Sequence, residues 1–392
     1  MKKIFKLKFL GITITVFVLI WLLTFIPINL GFFNPMKNAL YDFDVNDIVF
    51  SKLSPDKSAD TNIVIVNIGY LNRPQIAELI TKIKSYKPKV VGLDILFREH
   101  KEPIGDSLLS NAIKLDGNTV IVNKLSGFNE EKQRYDTLTT SINEFSKSSY
   151  SGFANFPSKA GSNLTTIRLF KSESKYKDST IDAFATEIVK LFDRKNYDEL
   201  MKRNNDFETI NYRGNVDKFF YIDGTNLDNL DNIDFIKNKI VLLGFLGEYP
   251  SHTILEDIFY TPLNENYAGK TYPDMYGVVI HANIISMILQ KSYINSLPSW
   301  FEVLLAMLIC YFNIVLISFI KKKNMDWLSI ISLTTKTLEF IILLFIDLEI
   351  FINFQIKFSI TLMLASIVLI SDGEAIYDII LEKIKKYKLK RA

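Results

Sequence analysis

The chain has 392 residues, with 46 Lys and Arg against 43 Asp and Glu, a net charge of +3, and 48% hydrophobic residues. So small a charge gives no reason to expect nucleic acid as a partner. The single cysteine, Cys310, falls inside an apolar run. Disulfide frameworks, thiolate metal sites and a cysteine nucleophile are therefore excluded for the long middle segment.

Residues 1–8 carry Lys2, Lys3, Lys6 and Lys8, and residues 9–26 follow as an uncharged apolar run. That run has the length a bilayer core demands of a helix. It is rich in Ile, Phe and Trp and has no small-residue cleavage site after it, which favours an uncleaved signal anchor over a removed signal peptide.

Segment 27–60 is polar and reads as the exit from this helix. Residues 61–67 form a β-branched run, as in a strand buried on both faces. Pro74 opens a helix with Ile76, Leu79, Ile80 and Ile83 on one face, and 89–94 gives a second strand. This is a βαβ unit with a right-handed crossover and parallel strands. A third strand is expected at 119–123.

The stretch 126–178 reads as loops with short strands such as 165–170. A helix around 180–193 follows, burying Ile181, Phe184, Ile188 and Leu191. Residues 208–214 read as a strand ending in a turn, 239–244 as the most strand-like run of the chain, and 277–290 as an apolar helix. At roughly 270 residues this middle segment is long enough to bury its own core.

Three further apolar runs close the sequence, at 300–320, 327–346 and 350–370, with Trp300 and Trp327 as interfacial anchors. Asp347, Leu348 and Glu349 read as the tip of a tight helical hairpin. If all four runs cross, residues 1–8, the Lys321–Lys323 loop and the basic tail 371–392 share the cytoplasmic side, and 27–298 is extracytoplasmic. The expected fold class is a membrane protein. It has an α/β extracytoplasmic domain with a mainly parallel sheet, one N-terminal transmembrane helix and three C-terminal ones.

Charges inside hydrocarbon are costly and need partners. Helix directions and the 1.5 Å rise place Glu339 and Lys357 at one depth, so an interhelical ion pair is expected, with Lys336 one turn inward. Structural glue is the simpler reading of these three charges, and a proton or ion path the functional one. In the tail, Ile376, Ile380, Ile384 and Tyr387 recur at helical spacing among lysines. They mark a lipid-held amphipathic helix, a docking peptide, or only a topology-fixing basic segment.

Several of these pieces, in this order, resemble the CHASE family of the second type, a cyclase- and histidine-kinase-associated sensory extracellular domain. The resemblance rests on IVIVNI (63–68), VVGLDILF (90–97), INYRG (210–214), KIVLLG (239–244), EDIFYTP (256–262) and YGVVIHANIISMIL (276–289). It implies an extracytoplasmic sensor of a small molecule or protein that relays to a separate cytoplasmic or membrane partner, as a homodimer where relatives signal. The sequence departs from the family at 67–73, where the loop after the first strand is shortened. It departs again after residue 370, where relatives continue into an output domain and only 371–392 remain here.

Ligands of open parallel sheets bind beyond the carboxyl ends of the strands. That rule selects Asn67, Asp94 and Gly244, with Asp257 and His281 supplied by following segments. Each has a plainer reading. Asp94 caps or braces a loop, Asp257 braces the turn before Pro262, and His281 is a buried, hydrogen-bonded core histidine. A metal or acid–base site built from Asp94, Asp257 and His281 has no supporting local spacing. No nucleophile elbow, HExxH or complete phosphate loop is present, so neither an enzyme nor a cofactor is expected. A ligand-free envelope scaffold is the competing function.

Overall fold

The computed structural model describes residues 7–25, 56–157, 165–226, 231–247, 257–264, 272–323, 328–389 and 391. Lys2, Lys3, Lys6, Trp327 and most of segment 27–60 lie outside them. The chain divides into two compact units, Asn38–Ile294 and Met1–Lys37 with Asn295–Ala392.

The first unit is built on a nine-stranded sheet. Its elements in chain order begin with β1 (Asp60–Asn67), α2 (Arg73–Ser85), β2 (Val90–Leu93), α3 (Pro103–Lys114), β3 (Thr119–Asn129), β4 (Arg134–Thr139) and β5 (Tyr150–Phe153). There follow β6 (Glu173–Tyr176), β7 (Ser179–Asp182), α4 (Phe184–Phe192), α5 (Arg194–Arg203), β8 (Phe219–Asp223), β9 (Ile240–Gly244) and α6 (Gly277–Gln290). Helix α1 (Leu7–Thr24) belongs to the second unit.

The strand order is β8-β1-β9-β2-β3-β4-β6-β7, with β5 on the other side of β3. From β8 to β3, and between β3 and β5, every pairing is parallel. Helix α2 starts where Asn72 accepts from Gln75 N while the Gln75 side chain accepts from Asn72 N, with Pro74 in the first turn.

Alternation sorts the strand side chains onto two faces. Val64, Val66, Val91, Leu93, Val241 and Leu243 join Ile76, Leu79, Ile80 and Ile83 of α2 and Leu109 and Ile113 of α3 in one cluster. Ile63, Ile65, Ile240 and Leu242, also fully buried, face the other way, where α4 and α6 pack. The result is a three-layer α/β/α unit with a mostly parallel sheet, as expected.

Three local readings differ. Strand β3 runs on to Asn129 and returns as the antiparallel strand β4, where 126–178 reads as mostly loop. The segment 179–182 is a strand before helix α4 begins at Phe184. Only Glu208–Thr209 of the 208–214 stretch is strand, because Arg213 and Gly214 turn their backbone N–H groups to the Asn283 side chain instead of a ladder.

The second unit holds α1, β10 (Asn295–Ser296), α7 (Ser299–Lys323), α8 (Leu328–Phe354), β11 (Ile356–Lys357), α9 (Thr361–Val368) and α10 (Ile370–Leu389). Leu7–Thr24 and Ser299–Lys321 are long and apolar enough to cross a membrane. Helix α8 carries Lys336, Glu339, Asp347 and Glu349, and the eight residues of α9 reach only about 12 Å.

Asp347, Leu348 and Glu349 do not form a hairpin tip. Nothing in Leu-Phe-Ile-Asp-Leu-Glu-Ile breaks a helix, Asn353 donates to Glu349 one turn back at 2.8 Å, and α8 continues to Phe354. The turn falls at Gln355, whose φ of +54° is a left-handed stop. Strands β10 and β11 pair there and hold the start of α7 and the end of α8 at one end of the unit.

This relocation separates the expected ion pair. Fifteen helical residues between Glu339 and Phe354 put Lys357 about 22 Å along the axis from Glu339. Glu339 instead lies beside Asn313 of α7, and Lys336 donates to Val368 O at 3.3 Å. The tail is helical, as its spacing suggests, with Ile380, Ile384 and Tyr387 exposed. Lys8–Asp378 (2.9 Å) and Lys321–Glu374 (2.5 Å) tie α10 to α1 and α7.

Candidate functional site

The register of the central strands places Asn67, Gly244 and Asp94 side by side. Asn67 pairs with Gly244 across β1 and β9, and Leu243 pairs with Leu93 across β9 and β2, so Asp94 follows opposite Gly244. By alternation all three lie on the face covered by α4 and α6.

Gly244 is what lets α6 begin there. A Cβ at this position would lie 2.6 Å from Cβ of Val278, so any larger residue would push the helix off the strand end. Gly277, the first residue of α6, has the same kind of role. Its N–H donates to Asp257 O at 3.0 Å, and a Cβ would come within 3.1 and 3.3 Å of the two Asp257 carboxylate oxygens. Asp257 itself sits at φ +55°, a conformation uncommon for a non-glycine residue.

The five sequence candidates divide in role. Asn67 is buried and committed to structure: its Oδ1 accepts from Gly69 N and Leu246 N at 3.0 Å each, and its Nδ2 donates to Gly247 O at 3.1 Å. It laces the loops after β1 and β9 together. Asp94 donates its own N–H to Leu243 O at 2.9 Å, but no hydrogen bond reaches its side chain among the described residues. Among the described residues no hydrogen bond supports the loop-bracing roles considered for the Asp94 and Asp257 carboxylates.

Burial and the nearby Asp257 charge push the Asp94 carboxyl up to about 8. Asp257 is exposed at the surface, yet desolvation by the surrounding protein raises its carboxyl group to about 6. His281 is 4% exposed, stacked against Phe156 (centroids 4.7 Å) and edge-on to Phe184 (5.1 Å), and burial pulls it down to about 3, so the ring is neutral. Its burial is as expected, yet its Nδ1 has no hydrogen-bond partner.

The opposite face of the same sheet edge is hollow. The loops after β1 and β2 enclose a cavity of about 520 Å³, walled by Ile68, Leu71, Ile76, Ile95 and Phe97, with Arg98 and Lys101 at its mouth. This volume lies within the usual range for small-molecule sites.

Behind the cavity, Arg73 lies over the paired rings of Phe97 and Phe145 and is bonded to Asp106 and to the Glu99 carbonyl. Asp106 also accepts from Lys101 N (3.1 Å) and faces His100 Nδ1 (3.3 Å). His100, Asp106 and Glu144 are grouped closely enough to surround an ion. The Arg73 guanidinium already occupies the buried carboxylate of that group, so an ion there would have to displace it.

Sequence reasoning missed Arg73 and Asp106, which lie 33 residues apart with no motif linking them. It also missed the clamp joining two of the quoted motifs. Asn283 of α6 accepts from Arg213 N (2.7 Å), Arg213 Nε donates to Ser286 Oγ (2.9 Å), and Ser286 donates to the buried Asp60 (2.6 Å). The polar residues Asn283 and Ser286 inside an otherwise apolar helix were the available signal.

The family model for the CHASE2 domain matches residues 14–319, which is most of the chain. No curated protein and no solved structure matches.

Proposed function

Because the chain belongs to the CHASE2 domain family, a family of extracytoplasmic sensory domains, we propose that it is a membrane-anchored signal-input protein. Its outer domain binds a small molecule and biases a separate cytoplasmic or membrane partner through the helices of the second unit. Helices α1, α7, α8 and the α9–α10 pair cross the bilayer, both termini are cytoplasmic, α1 is a retained signal anchor, and the protein acts as a homodimer without catalysing a reaction.

The observation that carries this reading is the cavity of about 520 Å³ at the carboxyl ends of β1 and β2. That is where open parallel sheets take their ligands. Its mostly apolar wall and polar mouth suit a small organic molecule better than a protein loop. Signalling follows if ligand-bound and ligand-free domains prefer different helix arrangements.

The experiment is a thermal-shift screen of the full chain in detergent micelles against a small-molecule library, repeated on Ile95→Trp, which fills the cavity. A ligand-binding domain gives hits that stabilise the native chain and fail on Ile95→Trp. A screen without hits, or hits indifferent to the substitution, favours the scaffold reading instead.

A further inference from the structure

We propose that Asp94 and Asp257, backed by the imidazole of His281, form a binding site for a compact cation, either a divalent metal ion or a primary ammonium group. The site lies on the α4/α6 face of the sheet, so it is separate from the cavity on the α2/α3 face.

The more deeply enclosed carboxylates of this unit have partners. Asp106 has Arg73, Asp60 accepts from Ser286 and Gln290, Glu208 pairs with Arg203, and Asp274 accepts from Thr261 N. That is the general rule for groups taken out of water. Asp94, half-buried at the end of β2, departs from it, and the exposed Asp257 stands beside it. The Asp257 charge is close enough to raise the cost of ionising Asp94, and no hydrogen bond or ion pair reaches either carboxylate among the described residues. A cation placed between them removes the repulsion and supplies the missing partner.

The His281 side chain is an independent indication. It is 96% buried and its Nδ1 is unpartnered. Positions 277 and 281 of α6 share a helix face one turn apart, and helical side chains lean toward the N-terminus. The imidazole is thus directed back toward Gly277, against which the Asp257 carboxylate lies. Phe259 connects the two, because it lies 3.4 Å from the Gly277 Cβ position and packs on Phe156, which stacks on His281.

The donors are two carboxylates and one neutral imidazole against aromatic walls. Among the described residues only His100, Asp106 and Glu144 bring three such groups within 4.8 Å of one another. The wider spread of Asp94, Asp257 and His281 suits an ammonium group, or an ion that keeps some of its water, better than a fully dehydrated ion. Asp257 at φ +55° is the kind of backbone strain that concentrates at binding sites.

The test is thermal unfolding of the full chain in detergent micelles at pH 8. One arm adds Mg²⁺, Ca²⁺ or Zn²⁺, the other adds ethylamine or 1,4-diaminobutane, and Na⁺ and tetramethylammonium at equal ionic strength are controls. A rise in Tm in the metal arm assigns an ion, and a rise in the amine arm assigns an ammonium group. Asp94→Asn and Asp257→Asn each abolish that rise, while Asp94→Asn raises the Tm of the cation-free protein. His281→Leu weakens the cation about tenfold, and Ile95→Trp leaves the response intact. The proposal is overturned if no cation exceeds the controls, if the Asn variants keep the response, or if Asp94→Asn lowers the cation-free Tm.

Discussion

The two faces of the sheet meet at one edge and treat charge in opposite ways. On the α2/α3 face, Arg73 and Asp106 are buried as a pair, with Arg73 over the packed rings of Phe97 and Phe145 and the pair braced by the Glu99 carbonyl and Lys101 N–H. On the α4/α6 face, the Asp257 charge lies near the half-buried Asp94, and no basic side chain bonds to either carboxylate among the described residues. The compensated charges shape the loop around a cavity. On the other face, the half-buried Asp94 carboxyl costs stability when it ionises beside Asp257.

The largest effect expected from breaking this contrast is on the compensated side. Arg73→Met strands Asp106 in the interior and should cost about 3–5 kcal/mol in chemical denaturation. The double variant Arg73→Met with Asp106→Leu should recover most of the loss. Equal losses in both would mean that the pair's packing, and not its charge balance, carries the stability.

Next is Asn67→Ala, which leaves Gly69 N and Leu246 N without their shared acceptor. A loss of about 1–3 kcal/mol is expected, with hydrogen exchange rising in the loops after β1 and β9. Exchange unchanged in both loops would remove Asn67 as the link between them.

The uncompensated side should respond with the opposite sign. The folded state holds a proton on Asp94 up to about 8, whereas the unfolded chain releases it near the ordinary 3.8. Folding therefore takes up a proton in that window. The stability associated with Asp94 is present below it and lost as pH rises from about 4 to about 8. Asp94→Asn should flatten this decline and stabilise the chain at pH 8 by on the order of 1–2 kcal/mol, after allowance for solvent at the partly exposed site. Denaturation of the two proteins across pH 5–8 checks it, and parallel curves would contradict it.

The parallel core was legible because its signals are local. The apolar runs at 61–67, 90–93 and 239–244 and the helical faces of 73–85 and 277–290 follow from side-chain period alone. The insertion of β9 between β1 and β2 is not local, since no residue pattern near Ile240 names its neighbours. The strand β8 was missed because Phe219–Asp223 on the sheet edge alternates burial too weakly.

At the site, the rule for strand ends selected Asn67, Asp94 and Gly244, which the register does place side by side, with Asp257 and His281 from the following segments; the Asn67 side chain proves to be a loop tie. Arg73 and Asp106 escaped because their meeting depends on how α2 and α3 pack. In the second unit, the two acidic residues Asp347 and Glu349 were mistaken for a turn. Helix propensity and the Asn353–Glu349 contact keep them helical, and the stop comes only at Gln355.

The account depends most on which side of the membrane the α/β unit occupies. The direct measurement fuses alkaline phosphatase, active only outside the cytoplasm, or a cytoplasm-active reporter after residue 150 and, separately, after residue 391 of the full chain. The phosphatase should be active at 150 and silent at 391, with the reverse for the other reporter. A cytoplasmic signal at position 150 would contradict the sensory reading.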